Sequence, residues 1–111
     1  MHLVWYSKVD LMIIIAHGFV SLTMARVEQL INEIFEMKGD VSHKCALRIY
    51  NLLENNKKLF SEKMEADNFA LLLKNFEAIS YGNPAEYNSS GYKRDFEKNY
   101  ESLSFYLNKI I

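Results

Sequence analysis

His43 and Cys45 stand two residues apart, as close as this chain comes to a metal-binding or nucleophilic pair. Imidazole nitrogen and thiolate sulfur both ligate zinc, but a structural site takes four ligands. His2 and His17 lie far off in sequence, at no ligand spacing. Cys45 is therefore expected to be a buried small hydrophobe. As a nucleophile it would need an adjacent base and an orienting acid, and no such motif surrounds it or any serine or threonine. Glu33 and Glu36 sit one helical turn apart, with Glu28 loosely on the same side. A di-metal site in a bundle needs Glu-x-x-His repeated on a second helix. No Glu-x-x-His occurs, so these carboxylates are expected to form a solvated acidic face.

Other chemistries fail on spacing in the same way. Helical ribonuclease toxins place a histidine five positions after an arginine. Here Arg26, Arg48 and Arg94 are followed at that spacing by Ile31, Leu53 and Asn99. A phosphate cradle needs a glycine-rich loop ahead of a helix, and the four glycines are scattered. Lys93, Arg94 and Lys98 are interleaved with Asp95, Glu97 and Glu101, so the helix carrying them is mixed in charge and not a nucleic-acid reader. The formal net charge of −1, from 13 basic and 14 acidic side chains, gives no general attraction to a phosphate backbone. Asn88-Ser89-Ser90 fits a glycosylation acceptor, which matters only in a secreted chain. The sequence is thus expected to be non-enzymatic, with no cofactor, no metal and no nucleic-acid partner.

What remains is aromatic. Tyr81, Tyr87, Tyr92, Tyr100 and Tyr106 cluster in the last third of the chain. Tyrosine buries area at low rotamer cost and keeps a polar tip, which suits both bundle ends and interfaces. The stretch from Gly82 to Gly91 holds the sole proline and several asparagines and serines, and reads as the main loop. Tyr81, Tyr87 and Tyr92 bracket it, and Glu86, Lys93 and Arg94 add a mixed polar rim. These six residues are the expected partner-binding site. The competing reading is that the tyrosines cap the bundle.

The elements that must carry this loop are amphipathic helices. Val20, Met24, Val27, Ile31 and Ile34 follow a +4, +3, +4, +3 spacing, one apolar stripe of a helix. Extended backwards through His17 and Ile13, the stripe draws one helix over Leu11 to Lys38, with Asp10 as N-cap and Gly18 as its weak point; the alternative is a break near Gly18, with Ser21 or Thr23 capping a second helix. Gly39 should close it in the left-handed conformation. Asp40 or Ser42 should cap a second helix with the stripe Ala46, Ile49, Leu52, Leu53, fraying near Asn55 to Lys58. A third is expected from a cap at Ser61 to about Tyr81, with the stripe Phe69, Leu72, Leu73, Phe76, Ile79. Its run Leu71-Leu72-Leu73 implies burial on more than one side and a central place. The last should start near Tyr92 and bury Phe96, Tyr100, Leu103 and Leu107. The fold class is all-α: a small bundle of four or five mostly antiparallel helices.

At 111 residues the chain is one domain, long enough for a single core. Half its residues are hydrophobic and 14% aromatic, which argues against disorder. A lone cysteine cannot form an internal disulfide, so a reducing, cytoplasmic setting is expected. The first 23 residues carry only two charges, whereas the other 88 carry 25. The uncharged run Leu11 to Ala25 is 15 residues, short of the about 20 that cross a bilayer. Residues 1–23 are read as a buried helix or strand, as an interfacial or membrane-inserted segment, or as an extension ahead of a start at Met24. Leu11 to Val20 is expected to pack on the bundle or on a second copy, giving a homodimer through the N-terminal helix.

The residues mark no particular family. The general look of a small lysine- and asparagine-rich bundle without chemistry is shared by bacterial immunity proteins, phage-encoded inhibitors and many other bundles, and such likeness says little of function. The expected function is a non-enzymatic module that occludes or scaffolds a partner protein, with an immunity or inhibitor role slightly favoured. The alternative is a small membrane-associated protein anchored by residues 11–25.

Overall fold

In the computed structural model the described residues are 25–110. They form five α-helices and no strand. Helix α1 covers 25–36, α2 His43–Asn55, α3 Lys57–Lys63, α4 Ala66–Ser80 and α5 Ser90–Asn108. A short 3-10 turn, Pro84–Glu86, interrupts the loop between α4 and α5. The all-α bundle expected from periodicity is the fold observed.

The local signals work as their chemistry requires. In the turn that follows α1, Gly39 has φ +90°, a left-handed conformation that glycine adopts without backbone strain. Ser42 caps α2, its hydroxyl accepting from the Cys45 amide at 3.2 Å. Asp40 supports that cap from outside by accepting from the Ser42 amide at 3.0 Å. The bonds from Ser42 hold the Asp40 carboxyl below its ordinary range. Ser89 caps α5 through the Tyr92 amide, so that helix starts at Ser90, two residues ahead of the expected start.

Two breaks differ from the expected helices. Asn56 ends α2, and its side-chain amide turns back to donate to the Leu52 carbonyl at 2.8 Å. A separate seven-residue helix, α3, follows. Ser61 lies inside α3, donating to the Lys58 carbonyl, and does not cap α4. Extended backbone at Met64 and Glu65 separates α3 from α4 instead. The fold thus gains a corner where Phe60 stacks on Phe69, with centroids 6.0 Å apart.

The core draws on all five helices: Val27, Ile31 and Ile34 from α1, Ala46, Ile49 and Leu53 from α2, Phe60 from α3, Leu72 and Phe76 from α4, and Phe96, Leu103 and Leu107 from α5. Helix α4 packs against α2, α3 and α5, which makes it central. The three leucines do not all explain that position. Leu72 is buried and Leu73 half-buried, but Leu71 is 59% exposed. At 100° per residue three consecutive positions span too wide an arc for one buried face. Helices α4 and α5 run antiparallel: Tyr92 bonds the Ile79 carbonyl, and one turn further along Phe96 meets Phe76 edge-on. Tyr100 ties α5 to α1, donating to the Ile34 carbonyl at 2.7 Å. Among the described residues no helix is long and apolar enough to cross a membrane. The expected packing of residues 11–20 and the homodimer through them lie outside the described residues.

Candidate functional site

The last turn of α4 leaves carbonyls without helical partners, as every helix end does. Three ring side chains from three places in the chain converge on them. Tyr92, on the first turns of α5, donates to the Ile79 carbonyl at 3.1 Å. Tyr87, from the loop, donates to the Gly82 carbonyl at 3.0 Å and to that of Ser80 at 3.3 Å. His43, the first residue of α2, places Nε2 2.7 Å from the same Ser80 oxygen. That distance to a carbonyl requires Nε2 to carry the proton. The His43 and Tyr87 rings stack at 3.7 Å and 9° from parallel, and Tyr92 leans on Tyr87 with centroids 5.3 Å apart. Burial, followed by the neighbouring Tyr87 and Cys45, pushes the Tyr92 phenol up to about 12.

His43 is committed to Ser80 and Tyr87. Cys45 is buried, and desolvation pushes its thiol up to about 11, so no thiolate forms near neutral pH. The Ser80 hydroxyl is buried and has no hydrogen-bond partner among the described residues. No group of three or more His, Cys, Asp or Glu residues able to hold a metal occurs among the described residues.

The clamp that His43, Tyr87 and Tyr92 form also builds one wall of a cleft of about 580 Å³ between α4, the loop and α5. Asn75, Glu86, Tyr87, Tyr92, Asp95 and Asn99 line it. Three of the six expected site residues, Glu86, Tyr87 and Tyr92, therefore meet in one place. The others do not join them. Tyr81 is 64% exposed and turns its ring edge-on to Tyr50 of α2. Lys93 and Arg94 are exposed, but helical rotation turns both away from the face of Tyr92, Asp95 and Asn99. The lining charges are consequently the carboxylates of Glu86 and Asp95, where a mixed rim was expected. Gly82 has a structural reason: a Cβ there would lie 3.1 Å from the Ala78 carbonyl oxygen.

The opposite flank of α5 carries a surface that sequence reasoning missed. Phe96 and Tyr100 floor a cavity of about 210 Å³ rimmed by Lys38, Asp40, Glu97 and Glu101. It adjoins a groove of about 520 Å³ through Lys38, Tyr100 and Glu101, which continues past Phe35 and Phe105 to Asn108. The only sequence signal for it is Phe105, an aromatic off the buried stripe and 57% exposed.

No family model matches this chain, and no curated protein or solved structure matches it. The class its described residues define is that of a small all-α bundle.

Proposed function

We propose that this chain is a non-enzymatic protein-binding module that occludes a partner protein, in the manner of an inhibitor or immunity protein, working in a cytoplasmic setting. The observation that carries this reading is the α4–loop–α5 cleft. Its tyrosine wall is fixed by the hydrogen bonds of Tyr87 and Tyr92 to the end of α4. A wall held in place before binding loses little conformational entropy on contact, which is how preorganised surfaces gain affinity. Glu86, Tyr87 and Tyr92 form the site, with Tyr81, Lys93 and Arg94 on its surroundings.

The test uses side chains outside the clamp. The tagged full-length chain and its Asp95→Lys variant are used to capture interacting proteins from the native cell. A partner held by the native chain should be lost by Asp95→Lys while the melting temperature stays within about 2 °C. Equal capture by both would remove the cleft from the binding surface.

A further inference from the structure

The groove along the outer flank of α5 has a specific chemistry. Its stripe of Glu97, Glu101, Ser104, Phe105 and Asn108 recurs at helical spacing and runs about 17 Å along α5 at 1.5 Å per residue. The floor is aromatic, from Phe96, Tyr100 and Phe35. Among the described residues three carboxylates, Asp40, Glu97 and Glu101, line it, against two cations, Lys38 on its rim and Lys109 over Phe105 at its far end. The C-terminal end of α1 also points here, because Tyr100 at the floor reaches the Ile34 and Phe35 carbonyls. A helix C-terminus adds partial negative charge. Phe105 takes an ammonium on its ring face: Lys109 Nζ sits 4.3 Å from the centroid.

We infer that this groove docks a basic amphipathic segment of a partner protein, about three helical turns long, with apolar residues on the aromatic floor and lysine or arginine against Asp40, Glu97 and Glu101. An apolar trough whose rim carries an excess of one charge sign is how helix-in-groove recognition selects its ligand. The inference rests on the reading of the chain as a protein-binding module. It names a second surface, separated by α5 from the tyrosine cleft.

The test titrates a synthetic leucine–lysine amphipathic peptide, and its leucine–glutamate counterpart, into the ¹⁵N-labelled full-length chain at physiological ionic strength. The lysine peptide should shift the amides of Gly39, Val41, Glu101 and Phe105, and the glutamate peptide should not. The doubly substituted Glu97→Lys, Glu101→Lys chain should bind the lysine peptide about tenfold more weakly. Phe105→Ser should weaken it by a similar factor. Both changes fall on exposed side chains, and an unchanged melting temperature confirms the fold. Asp95→Lys, in the other cleft, should leave the affinity as it was. Shifts confined to the tyrosine cleft or to the Glu28, Glu33 and Glu36 face would overturn the inference while leaving the protein-binding reading standing. So would equal binding of both peptides. A dimer of the unliganded chain that Phe105→Ser dissociates would also overturn it, because a second copy would then be the occupant.

Discussion

His43 and Tyr87 lie face to face, 3.7 Å between centroids, and both reach the carbonyl oxygen of Ser80. Three segments of chain, the start of α2, the end of α4 and the loop before α5, are joined at that one atom. Together the two rings hold the loop against the bundle, so it is an ordered wall and not a free connector.

The pair should be energetically coupled. Tyr87→Phe keeps the stack and loses the hydrogen bonds, and should cost about 1 kcal/mol. Tyr87→Ala loses both and should cost about 1–3 kcal/mol. A double-mutant cycle with His43→Ala, measured by urea denaturation, should give a coupling of about 0.5–1.5 kcal/mol. A coupling near zero would mean the two rings are adjacent without supporting each other.

Alkaline pH should weaken the fold through Tyr92. Its phenol is raised to about 12 from the ordinary 10.0, so the folded state holds this proton more tightly than the unfolded chain. The resulting stability is complete below pH 10 and is lost as pH rises towards 12. The physical event is loss of the O–H that donates to Ile79. Urea midpoints followed across this window should fall for the native chain and fall less steeply for Tyr92→Phe. Cys45, raised from 9.0 to about 11, contributes in the same direction at the lower end.

Leu71 and Leu72 should respond in opposite ways to the same change. Leu72→Ala should cost about 2–5 kcal/mol, and Phe76→Ala about 3–5 kcal/mol, because each leaves a cavity in the core. Leu71→Ala should change stability by no more than about 0.5 kcal/mol. Similar losses at both leucines would place a covering surface over Leu71.

Gly39→Ala should destabilise despite the open space around it. No atom lies within 4 Å of the added Cβ, so the cost is backbone strain at φ +90° and not a clash. A loss of about 1–2 kcal/mol is expected. Gly39→Asn, which tolerates the left-handed region better, should lose less.

The sequence by itself determined the elements and most of their buried faces. Helical periodicity is a local property, so the stripes through Val27, Ile31 and Ile34 and through Phe96, Tyr100, Leu103 and Leu107 predict core positions that are in fact buried. Caps are local too: Gly39, Ser42 and Ser89 act within three residues of themselves. Tertiary structure decided what these residues do once helices meet. Leu71, next to the buried Leu72, is left 59% exposed by the packing of α4. The bends at Asn56 and at Met64–Glu65 let Phe60 reach Phe69. The use of Tyr87 and Tyr92 as clamps depends on carbonyls in another helix. The acidic aromatic groove joins Lys38 and Asp40 to Phe96, Glu97 and Glu101, nearly sixty positions apart, and no periodicity within one helix carries information across that distance.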